Sequence, residues 1–188
     1  TPTIGMLGVI HDKNHQMTMA FKEKGHIIYL LGESKNDISQ SEYLIKYHKV
    51  EASPTPWFDL DFEHRLHIVV AELIQKNLVT SAHDVSEGGV FVSLLECGMP
   101  GGLGFDITTD AEVREDAFLY GESQGRVVVS VSRYHNDDFI DHMIEKKFPF
   151  SALGHVTKGQ MRVDDVPFGF IEDAKKEYNS AIEKFLNN

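Results

Sequence analysis

Ser81-Ala82-His83-Asp84-Val85-Ser86-Glu87-Gly88-Gly89-Val90 joins a short apolar stretch to an amphipathic one through two adjacent glycines. Residues 77 to 82 predict a strand entry ending at Ala82, and His83 to Gly89 a polar loop. Val90 to Cys97 is predicted as a helix, apolar at Phe91, Leu94 and Leu95. A strand feeding a helix through glycines lets backbone N–H groups approach a ligand without Cβ obstruction. The helix start adds unpaired N–H groups and the positive end of its dipole. Ser86 can donate to an anion, and Asp84 can accept from a hydroxyl or hold Mg²⁺. The same residues also suit a capped and tightly packed helix start, with Asp84 or Ser86 as the N-cap. The residue types alone leave binding and capping both open.

Upstream, His26 to Leu31 is rich in β-formers, stops at Gly32 and predicts a central strand. Ile4 to Ile10 predicts a buried strand. Ser39-Gln40-Ser41-Glu42 can open a short helix to about His48. Leu66, Val69, Val70, Leu73 and Ile74 recur at helical spacing, so a helix is expected from about Asp59 to Asn77. Downstream, Leu103 to Ile107 and Arg126 to Val131 predict strands. Ala111 to Leu119 and Tyr134 to Lys147 predict helices. Ser151 to Val156 and Met161 to Val163 predict a strand pair, and Glu172 to Leu186 a closing helix. Strands and helices interleave irregularly, without repeated βαβ units. The expected fold is therefore α+β, one domain over residues 1–188 with a mixed sheet flanked by helices.

The 188 residues carry 18 basic and 29 acidic side chains, a net charge of −11 with neutral histidines. That excess disfavours nucleic acid and anionic membrane as partners, since both require positive charge. With Cys97 as the one cysteine, no intrachain disulfide forms. Together with the lack of a signal pattern or a bilayer-length apolar run, this favours a cytoplasmic setting. The first residue is Thr1 rather than Met, which fits a fragment of a longer polypeptide.

A second polar loop, Gly121-Glu122-Ser123-Gln124-Gly125-Arg126, precedes the Val-rich strand. It suits either ligand reading by Glu122, Ser123 and Gln124 or an exposed loop with an Arg126 salt bridge. Leu31-Gly32-Glu33-Ser34 reads as a turn. His11 and His15, and His64 and His67, lack the companion ligands of a zinc site, so no metal residues are assigned. His83 suits a general acid or base, or a satisfied histidine at a strand end. Cys97 is expected to pack in the core.

Taken together, these segments resemble the phosphoribosylformylglycinamidine synthase family. Ala82 to Gly89 is similar to its A-H-D-x-S-x-G-G signature. Phe118 to Val131 is similar to its L-F-G-E-S-Q-x-R-V-V-V-S-V segment. Thr1 to Gly8 resembles the opening of its C-terminal domain. Thr18 to Lys22, Tyr29 to Glu33 and Ser41 to Leu44 follow in the same order. The resemblance implies a C-terminal domain of the aminoimidazole ribonucleotide synthetase-like superfamily, from the second of two domain pairs of the small-subunit type.

The implied reaction converts formylglycinamide ribonucleotide, ATP and glutamine-derived ammonia to formylglycinamidine ribonucleotide, ADP and phosphate. ATP and Mg²⁺ would be bound mainly by nucleotide-binding domains outside this chain, and the principal catalytic histidines lie there too. No catalytic residue is therefore assigned. The resemblance implies substrate contact for Glu122, Ser123 and Gln124. It implies a nucleotide or phosphate cleft for Asp84, Ser86, Gly88 and Gly89. Implied partners are the nucleotide-binding and sister domains, a glutaminase subunit and a small partner subunit. An isolated domain is expected to be inactive and to homodimerise through an exposed apolar sheet face. Competing expectations are a pure pairing module, or the C-terminal half of a selenophosphate or thiamine-phosphate enzyme. The chain departs from the family in two places. Ser39 and Gln40 stand where the family has G-G before S-E-Y, and His26 stands where it has Asp.

Overall fold

The computed structural model describes residues 3 and 5–186. Strand β1 (Ile27–Leu31) is central, and its alternate residues face different cores. Ile28 and Leu30 point into one, Tyr29 and Leu31 into the other. A strand covered on both faces must be apolar throughout, which is why this stretch is a continuous hydrophobic run. Strand β4 (Val127–Val131) follows the same rule except at the buried Ser130, with Val128 on the first side and Val129 and Val131 on the second.

The remaining strands are β2 (Ser81–Asp84), β3 (Gly104–Ile107), β5 (Phe150–Thr157), β6 (Gln160–Val163) and β7 (Val166–Phe170). They form one seven-stranded sheet in the order β2-β4-β1-β5-β3-β6-β7. Only β3 and β6 run parallel; every other pairing is antiparallel. The mixed sheet flanked by helices is the α+β class expected.

Helices α2 (Gly89–Gly98) and α3 (Glu115–Tyr120) and the start of α5 (Ile171–Leu186) cover one face. Helices α1 (Leu60–Gln75) and α4 (Asn136–Lys146) cover the other. Asp59 caps α1 by accepting from Phe62 N at 2.9 Å, and Leu66, Val69 and Leu73 form its buried stripe. Among the described residues, helices cover both faces of the central strands, while edge strand β7 stays exposed. Exposed large apolar side chains lie in residues 6–10, at the start of α1, on β7 and along α5.

Three local expectations are corrected. Residues 5–10 form no strand and stay exposed, because no strand of the sheet runs beside them; Ile4 lies outside the described residues. β5 and β6 are not a pair, since β3 lies between them. The chain can pack closely against the start of β3 because Gly104 lacks a Cβ, which would collide with Gln160 O. Strand β7 was not foreseen, because Pro167 and Gly169 break up a segment whose residues are all exposed. Between Tyr43 and Tyr47 the chain forms one π-helical turn. Just before it, Gln40 holds φ +57°, a conformation glycine adopts freely. Its Nε2 and backbone N bond Ser53, so side-chain contacts hold the bend in place of the family's glycine.

Candidate functional site

β2 is an edge strand beside β4, so its end and the residues after it sit at the rim of the sheet. Val85 N donates to Arg126 O, which carries the pairing one step beyond the strand. This contact sets the glycine loop directly beside the 121–126 loop. Between them and α1 opens a cleft of about 500 Å³. Asp84, Ser86, Gln124 and Arg126 line it from the loops, with Glu63 and His67 from α1. Asp84, Ser86 and Gln124 are exposed, and they bring the two motif loops together on one surface. Glu63 has no distinguishing signal in the sequence, and His67, weighed there only as half of a metal pair with His64, here lines the cleft.

Glu122 faces elsewhere. Its Oε1 accepts from Gly88 N at 2.9 Å and from Glu42 N at 2.8 Å. One carboxylate thus ties the glycine loop, the 121–126 loop and the Ser41-Glu42-Tyr43 turn. It also places negative charge at the start of α2, where the helix dipole favours it.

The two glycines serve close packing. Gly88 has φ +85° and Gly89 φ +70°. A Cβ on Gly89 would stand 2.7 Å from both Gly121 O and Leu119 O, and one on Gly88 would strike Val92. Neither Asp84 nor Ser86 caps α2, whose N-cap is Gly88 without a side-chain hydrogen bond.

Ser123 is buried, and its Oγ has no partner among the described residues. Arg126 is buried too, not an exposed salt-bridging residue. Its Nε donates to Ser123 O (3.0 Å), its NH2 to Gly121 O (2.6 Å) and its NH1 to Ser34 Oγ (3.2 Å). Burial brings the guanidinium down to about 10, with Glu122 acting in the opposite direction. It folds the loop around itself by satisfying carbonyls that burial would otherwise orphan. Apolar neighbours hid this role in the sequence.

His83 lies outside the cleft, with Nε2 2.9 Å from Glu96 Oε2 on α2. His26 anchors a row of hydroxyls: its Nδ1 lies 3.0 Å from Thr80 Oγ1, which meets Ser130 Oγ at 2.8 Å. Ser130 in turn meets Ser81 Oγ at 2.6 Å. Thr80 Oγ1 also lies 3.0 Å from Ser130 O. Among the described residues, no three histidine, cysteine or acidic side chains converge to hold a metal ion. No described helix is long and apolar enough to cross a membrane.

A family model described as AIR synthase related protein, C-terminal domain, matches residues 23–166. The chain belongs to this family. The AIR synthase related domain described here is 40% identical over 163 residues to phosphoribosylformylglycinamidine synthase subunit PurL of Alkaliphilus metalliredigens. That match covers 87% of this chain and 22% of the relative. The corresponding subunit of Moorella thermoacetica is 35% identical, over 82% of this chain and 21% of its own length. The chain thus spans about a fifth of these curated relatives. Among solved structures, T. maritima PurL complexed with FGAR superposes with a TM-score of 0.73 at 16% identity. The superposition covers 87% of this chain and 30% of that one, and it shows the shared fold.

Proposed function

We propose that this chain serves as a C-terminal domain of a PurL-type phosphoribosylformylglycinamidine synthase. In this reading the whole enzyme uses ATP to activate the amide oxygen of formylglycinamide ribonucleotide, and ammonia then displaces it. One observation carries the local part: the two family motif loops meet at one cleft, with Asp84, Ser86 and Gln124 exposed on it. Gln124 offers an amide donor and acceptor, Ser86 a hydroxyl and Asp84 an acceptor for ligand hydroxyls. Solved structures of T. maritima PurL with ATP, ADP and AMPPCP support nucleotide use in the family. A structure of PurLQS from that organism supports a multi-subunit assembly, with glutaminase and small partner subunits as the partners here. In this reading Mg²⁺ is bound with ATP mainly by the nucleotide-binding domains.

Within the site, Gln124 is assigned ligand contact. Glu122 has one oxygen engaged by backbone, and Ser123 is buried, so both shape the loop before they touch a ligand. The test is steady-state kinetics of the full-length synthetase with its partner subunits and Gln124→Ala or Ser86→Ala. A rise in KM for nucleotide or for formylglycinamide ribonucleotide of about tenfold is expected. Unchanged kcat and KM in both variants would overturn ligand contact at this cleft.

A second reading, a pairing module without ligand, draws on Glu122 itself. The carboxylate occupies the N–H of Gly88 that a phosphate would need. Loss of stability without kinetic change in the same variants would favour it.

A further inference from the structure

At the end of β4 away from the cleft, a second cavity of about 350 Å³ opens between residues 23–26 and 132–134. His26 forms its inner wall. The imidazole is only 10% exposed, and its Nδ1 is turned to Thr80 Oγ1 at 3.0 Å. That leaves Nε2 facing the cavity, with no hydrogen-bond partner among the described residues; Glu23 Oε2 stands 3.6 Å from it. Arg133 donates from Nε to Gly25 O at 3.0 Å, which pins its guanidinium over Gly25. A Cβ at Gly25 would meet that guanidinium at 3.6 to 3.8 Å. Both terminal nitrogens of Arg133 make no hydrogen bond among the described residues, and Lys24 adds a second cation to the lining. Two cations against one carboxylate reverse, at this spot, the sign of a chain whose net charge is −11.

We propose that this cavity binds a phosphate group, held by Arg133 and Lys24, with His26 Nε2 and the Ser132 hydroxyl as further donors. The guanidinium fork matches a pair of phosphate oxygens, and the ammonium answers the second negative charge. A carboxylate carries a single charge and occupies the fork alone, so it fits less well. The volume exceeds a bare phosphate and leaves room for a small organic group. The Glu23 carboxylate opposes an anion, but its side chain is 78% exposed and free to turn away. The imidazole cannot turn, because Thr80 holds Nδ1 and the main chain of His26 is bonded to Glu23 and Val156. Nothing in this site depends on the function proposed for the cleft.

Amide chemical shifts of the 188-residue chain, followed by NMR at constant ionic strength and about pH 6.5, test this. The probes are inorganic phosphate and glycerol 3-phosphate, each up to about 20 mM, the range of a weak site. Saturable shifts are expected at Gly25, His26 and Ser132. Arg133→Gln should weaken binding about tenfold, and Glu23→Gln should tighten it about threefold. Both side chains are exposed, the rest of each spectrum checks the fold, and a gain in binding cannot come from unfolding. Tighter binding of the ester assigns a phosphorylated small molecule, and tighter binding of inorganic phosphate the free ion. No saturable shift with either probe would overturn the proposal. So would acetate binding as tightly, Arg133→Gln binding phosphate like the unaltered chain, or shifts centred on Ser86 and Gln124 instead.

Discussion

Glu122 carries more structure than its place in a polar loop suggests. Its Oε1 holds two backbone N–H groups from segments far apart in the chain. Hydrogen bonds to a charged group contribute more than neutral ones, so Glu122→Ala should cost about 2 kcal/mol. Glu122→Gln, which keeps an acceptor, should cost less; urea denaturation of both variants measures the difference. Gly89 is stricter, because a side chain there meets a positive φ and two carbonyl oxygens together. Gly89→Ala should destabilise by about 3 kcal/mol, a shift readable in the same titrations. These residues are conspicuous in the sequence, since glycines beside a strand end and three polar residues in a row stand out. It could not show their targets. Whether a carboxylate bonds a ligand or the protein's own N–H depends on partners 34 and 80 residues away.

Between α1 and α4 a polar cluster sits within apolar packing. His142 Nδ1 accepts from Lys76 Nζ at 3.1 Å, so its other nitrogen carries the proton. That nitrogen lies 3.2 Å from Glu72 Oε2 without hydrogen-bond alignment, and Glu72 Oε1 accepts from Lys146 at 2.8 Å. Burial, then the Lys76 charge, lowers the His142 pKa below its ordinary value. The unfolded imidazole takes a proton near pH 6.5, roughly the free histidine value, and the folded one only at lower pH. Stability should therefore fall as pH drops below about 6.5 and level off once the folded imidazole is protonated. Urea midpoints at about pH 7.5 and about pH 5.5, one on each side of that value, test this. His142→Gln should shrink the difference, leaving the part due to His26, whose pKa burial also lowers. A full-sized difference in the variant would refute the assignment. Helix α1 itself was legible, because Leu66, Val69 and Leu73 repeat at helical spacing. Residues 5–10 were misread for the opposite reason: apolar composition suggests a strand but cannot supply a neighbour to pair with. β7 was invisible, since an exposed strand interrupted by proline and glycine carries neither alternation nor an apolar run.

The sheet divides the interior into two cores that share no side chains. Leu94, on α2, and Leu73, on α1, are each fully buried on opposite sides. Leu94→Ala and Leu73→Ala should each cost about 2–5 kcal/mol. Their double variant should lose the sum to within about 0.5 kcal/mol, because the sheet separates them. Coupling beyond that, measured by denaturant unfolding, would mean the two cores yield together. The mixed sheet was legible from unbroken valine and leucine runs beside patterned helices, but strand order was not, as β3 shows. β5 and β6 are joined by only Lys158 and Gly159, yet each pairs with β3 and neither with the other. In a refolding chain these neighbours can zip into a local hairpin before β3, far upstream in the sequence, docks between them. Such a hairpin must reopen to admit the missing strand, so the fastest contact to form here is a kinetic detour that delays maturation.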